Sequence, residues 1–184
     1  YYNDSGDYNT ASGNQALYNN DSGSYNTAFG NQALYYNDNG SYNTAFGNQA
    51  LYNNDSGDYN TAFGNQALYA NYSGGSNTAL GHKALYSNTS GSGNVAIGYE
   101  AGWSETGSNK LYIANGSGSG SQLVYGDFSS GDLSLGQTSG TVTVLNDADI
   151  DGTLTLGSMS DVESSINTNT TNIATNATNI GTVG

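Results

Sequence analysis

Short runs of small and aromatic residues recur at a fixed interval along the first part of the chain, separated by polar turn residues. The segment from Asn43 to Tyr52 reads NTAFGNQALY and returns nearly unchanged every seventeen residues. A Gly always follows four residues after the opening Asn, and no insertion or deletion breaks the register. Such a period is typical of stacked repeats, in which each unit buries its apolar face against its neighbours. The six copies open at Asn9, Asn26, Asn43, Asn60, Asn77 and Asn94.

Each repeat predicts one coil of a β structure. The alternation of small and large residues from Asn43 to Phe46 predicts a short strand, and residues 49–52 predict a second one. The linking residues 47–48 and 53–58 are rich in Gly, Asn and Asp, which favour turns. Recurring Gly and Asn disfavour a helix. We therefore expect an all-β repeat fibre, a parallel β-roll or β-solenoid with seventeen-residue coils.

Stacking such coils at about 4.8 Å turns each column of the repeat into a ladder. The interior of a slim roll has room for Ala, Thr and Leu but not for every aromatic residue. Some Phe or Tyr columns should therefore cover a second surface, of which another copy of the chain is the simplest. The predicted ladders are an amide column (Asn26, Asn43, Asn60), a turn column (Gly30, Gly47, Gly64), an apolar column (Phe29, Phe46, Phe63, continued by Leu80 and Ile97 and preceded by Ser12) and a tyrosine column (Tyr18, Tyr35, Tyr52, Tyr69, Tyr86).

Acidic residues also recur in the turns, and two interpretations of them stay open. Stacked carboxylates repel each other, so these turns are either solvated and capped by their own side chains or form a row of weak Ca²⁺ sites. The spacing matches neither an EF-hand loop nor the glycine-rich nonapeptide repeats. The later copies carry Tyr72 and Thr89 instead. The candidate metal ligands are Asp4, Asp21, Asp38, Asp55 and Asp58.

Two further parts follow the β-roll of residues 1–102. Residues 103–156 predict a β-rich connector, with strands at 110–115 and 122–128 flanking a Gly-Ser loop and at 141–145 and 153–156. Residues 157–184 change to a period of seven, which predicts a coiled-coil stalk segment or, alternatively, a disordered tail. Met159, Ile166, Ile173 and Ile180 take one core position, and Val162, Asn169, Asn176 and Val183 take the other.

Two motifs carry a resemblance to a known family. Asn94 to Gly98, NVAIG, with Ala101 after two more residues resembles the head repeat of trimeric autotransporter adhesins, and the earlier copies are similar to modules of phage tail fibres. Ile166, Asn169 and Thr170 resemble the stalk motif of that family, although its head repeats are usually shorter. The resemblance implies a homotrimer with a C-terminal coiled coil, an anion such as chloride held in its core by Asn169 and Asn176, and an extracellular location on a bacterial cell surface or a virion tail.

Composition excludes several classes of function. The chain has 184 residues, 15 acidic residues against two Lys and no Arg, and a formal net charge of −13. This charge disfavours nucleic acid and anionic membranes as partners, and no apolar stretch predicts membrane insertion. Sixteen Tyr argue against disorder. The absence of Cys excludes disulfides and thiolate metal sites.

A non-enzymatic role is the expectation, because no catalytic motif appears. The single His, His82, is read as a surface variant. A solenoid glycan hydrolase or lyase using Asp127 and Asp132 is the least favoured alternative.

Two functions remain for a trimeric fibre. In the first, exposed aromatic residues attach the fibre to a host-surface glycan or protein, each repeat adding a weak contact; the candidates are Tyr25, Tyr42 and Tyr59. In the second, the repeats are a passive rigid spacer that carries a binding tip elsewhere. The chain begins in mid-repeat, so we expect a fragment of a longer protein, with its anchor, tip and targeting signal outside it.

Overall fold

The structure, a computed structural model, describes residues 2–118 and 121–135, together with Thr171, Ile173 and Thr175. The chain divides into two units, residues 1–142 and 143–184. Within the described residues, all the strands lie in the first unit. The prediction of an all-β parallel β-solenoid is confirmed there, with about six coils of seventeen residues.

One strand from each coil joins a nine-stranded sheet. Neighbouring coils pair in parallel and in register, so that Thr44 lies beside Thr61, Ala45 beside Ala62 and Phe46 beside Phe63. A separate two-stranded sheet pairs β1 with β3. The strands are β1 (Tyr2–Asn3), β2 (Thr10–Ser12), β3 (Asn19–Asn20), β4 (Thr27–Phe29), β5 (Thr44–Phe46), β6 (Thr61–Phe63), β7 (Thr78–Leu80), β8 (Val95–Ile97), β9 (Lys110–Ala114), β10 (Gln122–Asp127) and β11 (Asp132–Leu135).

The prediction of a second strand in each coil, at residues 49–52, is wrong. Gln49 and Leu51 have φ angles of 54° and 50°, which lie in the left-handed region. Their N–H groups donate in opposite directions, from Gln49 to the Asn31 carbonyl of the preceding coil and from Leu51 to the Ala67 carbonyl of the following one, each at 2.9 Å. These hydrogen bonds hold a conformation that non-glycine residues disfavour, and the segment is a tight turn.

The core contains small and branched apolar residues from two positions of the turn and one of the strand. Leu51 is fully buried, as is Ala45 at the centre of β5. Thr44 and Phe46 flank Ala45 and face outward, because side chains alternate along a strand. The expectation that Thr enters the core is therefore wrong, whereas those for Ala and Leu are confirmed. The fully buried core comprises Leu17, Leu34, Leu51, Leu68 and Leu85 with Ala28, Ala33, Ala45, Ala50, Ala62, Ala67, Ala79, Ala84, Ala96 and Ala101.

The predicted asparagine ladder is present and buried. The Oδ1 of Asn43 accepts a hydrogen bond from the backbone N–H of Asn60 at 2.9 Å, and its Nδ2 donates to the Gly57 carbonyl at 2.7 Å. Asn26 and Asn60 make the same two bonds to their own following coils. One side-chain amide thus satisfies two backbone groups of the next coil that would otherwise be buried without partners.

A second buried asparagine column was not predicted from the sequence, and its residues were assigned to the turns between strands. Asn54 donates through Nδ2 to the Gly57 carbonyl at 2.8 Å and to Asn37 Oδ1 at 2.8 Å. The Gly57 carbonyl therefore accepts from Asn43 and Asn54 together. The sequence did carry a signal, because this column persists in every later copy even where the adjacent Asp is lost. Its members are Asn20, Asn37, Asn54, Asn71 and Asn88, all fully buried.

Two glycine columns permit the close stacking. Gly47 has a φ of 143°, and a Cβ built there would overlap the Gly64 carbonyl of the next coil. Gly30 and Gly64 are in the same situation, as the turn column predicts. A second column includes Gly57, where a Cβ would overlap the Gly74 carbonyl and the amides of both adjoining buried Asn side chains. Glycine is required at these positions by contact between coils as well as by backbone angle.

The sheet continues beyond residue 102. β9 pairs in parallel with β8, placing Tyr112 beside Ala96 after a coil of sixteen residues. β10 and β11 then add antiparallel strands. The strands predicted at 110–115 and 122–128 are confirmed as β9 and β10, whereas β11 was not anticipated.

The remaining predictions fall largely outside the described residues. They are the strands at 141–145 and 153–156 and most of the coiled coil, including Asn169 and Asn176. Thr171, Ile173 and Thr175 have helical conformation, and the Thr175 hydroxyl donates to the Thr171 carbonyl at 2.9 Å. The Ile173 side chain is 70% exposed in the single chain.

Replacing Gly47 with Ala should destabilise the solenoid by at least about 2 kcal/mol, because it combines backbone strain with an overlap between coils. Gly131→Ala isolates the strain, since φ is 80° there and no atom lies near the new Cβ; we expect a loss of about 1 kcal/mol. Gly118→Ala is the control, with neither strain nor neighbours. Urea unfolding of the three variants measures these differences. Equal stabilities for Gly47→Ala and Gly131→Ala would contradict the proposed close approach.

Replacing Asn43 with Ala should cost about 2 kcal/mol, because the buried Asn60 N–H loses its acceptor. The matched control is Asn48→Ala. Asn48 also belongs to an amide ladder, donating to Asn31 Oδ1 at 2.9 Å, but it is exposed to solvent. Its loss should cost less than about 0.5 kcal/mol. Urea unfolding again provides the comparison, and similar losses for both variants would show that burial of the ladder is not what stabilises the coils.

Candidate functional site

The outer face of the sheet carries a continuous apolar column. Phe29, Phe46 and Phe63 stack with ring centroids 4.7 to 4.8 Å apart and interplanar angles of 4° to 5°. Each ring is nevertheless between 42% and 49% exposed. Leu80 and Ile97 continue the column and are also exposed. The predicted Phe ladder is thus present, and it lies on the surface.

A second exposed column consists of tyrosines in the turn before the strand. Tyr25, Tyr42 and Tyr59 stack at 4.9 Å, continued at one end by Tyr8, and all have φ angles near 59° or 57°. Their rings are about half exposed or more. These are the residues predicted for surface binding, and the structure places them side by side on one surface. Such a row offers repeated aromatic edges and hydroxyl groups to a ligand.

The other tyrosine column is half-buried. Tyr35, Tyr52 and Tyr69 stack at 5.0 to 5.1 Å, and Tyr36 meets Tyr35 and Tyr52 edge-on. Burial raises the pKa of Tyr52 and Tyr69 above the ordinary value for Tyr, and neighbouring phenols raise it further. These rings therefore stay neutral at physiological pH and act mainly as packing between coils.

The acidic turn column lies at the surface. Asp38 is half-buried between Asp21 and Asp55, both exposed. Its pKa is raised, first by partial burial and then by the charges of Asp55 and Asp21. Within the described part of the chain, no group of three or more acidic or His side chains has an arrangement that could hold a metal ion. The structure thus brings the Asp residues into one column without assembling them into a cluster with metal-binding geometry, and Ca²⁺ binding there stays a prediction.

Asp58 belongs to a different column and has a structural contact. Its Oδ1 accepts a hydrogen bond from the Ser41 N–H at 2.7 Å. At the equivalent position one coil earlier, the Ser41 hydroxyl accepts from the Ser24 N–H at 3.1 Å. The carboxylate therefore replaces a hydroxyl as a cap for the preceding coil. The capping interpretation differs from this contact, because it expects each Asp to cap the amides of its own turn.

The carboxylates considered for glycan hydrolysis lie at the end of the sheet. Asp127 forms an ion pair with Lys110 and accepts from the Ser129 N–H at 2.8 Å. Lys110, through its hydrogen bond, holds the pKa of Asp127 below its usual range. Asp132, paired opposite it, contacts the Ser130 hydroxyl. A lowered pKa is the opposite of what a general acid requires.

Three residues near the end of the repeats were not singled out from the sequence. Trp103 occupies the position seventeen residues after Tyr86 and packs against it at 5.9 Å. Glu105 accepts a hydrogen bond from the Tyr112 hydroxyl, and burial together with this contact raises the pKa of Tyr112 far above its usual value. The only Trp of the chain, placed in a column of Tyr, was the available signal.

His82 lies in the turn beside this region. Its ring stacks on Tyr99 at 5.2 Å and is half-buried. Its Nδ1 has no hydrogen-bond partner. The interpretation of His82 as a surface variant stays a prediction.

The fold and these surfaces define the chain as a β-solenoid repeat protein. No known protein family matches the sequence, and searches of curated proteins and of solved structures found no significant match. In the described residues, no helix is long and apolar enough to span a membrane.

Replacing Asp38 with Asn should raise stability at neutral pH by less than about 1 kcal/mol. The folded-state pKa is raised, so the native protein is relatively more stable once Asp38 is protonated and loses that stability as pH rises through this pKa. The gain from Asn should therefore vanish as pH falls below the ordinary pKa of Asp, about 3.9, and shrink in high salt. Thermal unfolding at pH 7 and pH 3 measures it.

The effect of Ca²⁺ on stability tests whether the acidic column binds the ion. If the column binds the ion, millimolar Ca²⁺ should stabilise the natural chain and have less effect on Asp38→Asn. If the column is only solvated, Ca²⁺ should act no more strongly than an equal ionic strength of NaCl.

Proposed function

We propose that this chain is a structural module of a homotrimeric extracellular fibre that serves attachment to a host or other surface. The single observation that carries the proposal is the apolar column of Phe29, Phe46 and Phe63, stacked and yet half exposed on the outer face of the sheet. An apolar stripe of this kind usually marks an interface. A second and third copy of the chain would cover it along its whole length.

The coil-to-coil bonding supports a stiff fibre. Buried amide ladders and parallel strands link each coil to the next in a fixed register. Solenoids of this type gain length by adding coils without changing the cross-section. The module is therefore suited to holding a binding surface away from its support.

The C-terminal heptads support the same oligomeric state. We propose that residues 157–184 form a trimeric coiled-coil stalk in which Asn169 and Asn176 surround an anion such as chloride. The exposed Ile173 side chain and the helical conformation of its described neighbours are consistent with a helix that needs partners. The resemblance to trimeric autotransporter adhesins and to phage tail fibres supports the proposal that the module belongs to a bacterial surface or a virion tail.

Attachment and spacing remain two versions of this function. The exposed row of Tyr25, Tyr42 and Tyr59 favours attachment, because identical weak contacts add along a fibre. The near identity of the copies favours a passive spacer, because a specific binding site usually needs a unique arrangement of side chains and the repeats contain none. We favour attachment because the rings lie in line and open to solvent.

Sedimentation tests the assembly. The chain should have three times its monomer mass of 18.9 kDa. Replacing Phe29, Phe46 and Phe63 together by Ser should shift it toward the monomer, because the apolar contact area is lost. Ser is compatible with this strand position, since Ser12 occupies it in the first coil. The matched control replaces Thr27, Thr44 and Thr61 by Ser on the same outer face. A monomeric natural chain would overturn the trimer.

An array of surface glycans tests attachment. The trimer should bind at least one glycan at millimolar affinity or better, and replacing Tyr25, Tyr42 and Tyr59 by Ala should weaken binding more than the control at Thr27, Thr44 and Thr61. Silence across the array, with the trimer intact, would favour the spacer.

A further inference from the structure

The dipeptide Asn-Gly occurs twice in the chain, once within the coils and once after them. Asn39 and Gly40 lie in the turn of an early coil, whereas Asn115 and Gly116 directly follow strand β9. In this dipeptide the backbone nitrogen of Gly can attack the side-chain amide of Asn, because no Cβ obstructs the approach. Asn is accordingly one of the thermolabile residues of proteins. The same local chemistry is therefore present in two different structural settings.

The surrounding structure controls the rate of this reaction. Ring closure requires the backbone around the Asn to rotate until the Gly nitrogen faces the side-chain carbon Cγ. A backbone that is hydrogen-bonded and packed on both sides rotates only after a local opening of the structure. The contacts of each Asn-Gly pair therefore decide how fast it reacts in the folded chain.

Asn39 is held by the coils before and after it. Its Oδ1 accepts a hydrogen bond from the Ser22 hydroxyl at 2.8 Å, and its N–H donates to the Asp55 carbonyl at 2.8 Å. Gly40 is buried, and its carbonyl accepts from two side chains of the buried amide columns. A Cβ built on Gly40 would overlap atoms of the neighbouring coils. This packing leaves the pair no room to rotate.

Asn115 has fewer contacts. It is exposed in a bend that begins where β9 ends, and its N–H donates to the Ser121 carbonyl at 3.3 Å, which is longer than a usual backbone bond. Among the described residues, none is hydrogen-bonded to its side-chain amide. Gly116 is only half-buried, and its carbonyl accepts from the Ser121 hydroxyl. Rotation here breaks contacts with one residue, whereas rotation at Asn39 breaks contacts with two adjoining coils.

We propose that Asn115 is a site of spontaneous deamidation and that the coils protect Asn39 from the same reaction. The Gly116 nitrogen forms a bond to Asn115 Cγ, the Cγ–Nδ2 bond breaks, and the proton of the Gly116 nitrogen leaves with the amide group as ammonia. The product is a cyclic imide. Water then opens the ring at either carbonyl carbon, which leaves an aspartyl residue when the bond from Cγ breaks and an isoaspartyl residue when the main-chain bond breaks. Water is the only co-reactant.

The modification changes the sheet beyond the repeats. Each product adds a negative charge to a chain whose net charge is already −13. The isoaspartyl product also lengthens the main chain directly after β9, where Ala114 pairs with Gln122. It should therefore disturb the return from β9 to β10 while the coils stay intact. This proposal is independent of the attachment and spacer roles.

Incubation of the full chain at mildly alkaline pH tests the proposal, with digestion and tandem mass spectrometry to measure conversion at each Asn. In the folded chain Asn115 should convert at least about tenfold faster than Asn39, because the reaction rate follows the population of locally opened states. In concentrated urea the two should convert at similar rates, because the shared dipeptide then controls the chemistry. The two products at position 115 are separated by chromatography.

Three variants test the residues. Asn115→Gln keeps an amide but would require a six-membered ring, so conversion at position 115 should stop while Asn39 behaves as before. Ser22→Ala removes the hydroxyl bonded to Asn39 and should speed its conversion severalfold in the folded chain. The matched control, Ser73→Ala, removes an exposed hydroxyl at the equivalent turn position three coils later and should leave both rates unchanged.

Two results would overturn the proposal. Equal conversion of Asn39 and Asn115 in the folded chain would show that the coils give no protection. Conversion of both residues in urea but of neither in the folded chain would show that the bend after β9 is held as firmly as the coils. Conversion at Asn115 alone in the folded chain, with both residues reacting in urea, supports the proposal.

Discussion

The structure depends on one repeated interaction, in which a buried backbone carbonyl accepts hydrogen bonds from two asparagine side chains. The Gly57 carbonyl receives one bond from Asn43 of the preceding coil and one from Asn54 of its own coil. This pairing satisfies a polar group that no strand reaches, in a core that is otherwise Ala and Leu. Only Gly permits the approach, because a Cβ at Gly57 would overlap its neighbours. The amide columns, the glycine columns and the fixed repeat length are therefore parts of one arrangement.

The same stacking determines what the surface offers. Outward positions recur at the spacing of the coils, so aromatic residues form rows and carboxylates form columns. Attraction between stacked rings and repulsion between stacked charges thus act along the same axis. A uniform surface suits many weak contacts, whereas a selective site requires a break in the repeat. A small polar cavity lined by Trp103, Glu105 and Gln122 lies at such a break, where the repeats end.

Much of this fold could be predicted from the sequence, because the period is strict and alternation within the strand assigns Phe46 and Ala45 to opposite faces. Two features could not. Leu51 belongs to an apolar run that predicts a strand, and its left-handed angle depends on hydrogen bonds to the adjoining coils. Asn54 lies in a segment whose composition is that of a solvated turn. Its side chain is buried because it bonds to the Gly57 carbonyl, a contact that only the structure reveals. The small cavity that Glu105 and Gln122 both line was also beyond the sequence, because the antiparallel return of β10 is what brings Gln122 there.

The strict register of the coils has a genetic consequence. Each coil presents the same donors and acceptors to the coil before it and the coil after it. Loss or duplication of one whole copy in the gene would rejoin equivalent partners, whereas loss of a single codon would displace a complete set of them. Unequal recombination between near-identical copies can therefore change the length of the solenoid in units of one coil while every new junction stays bonded.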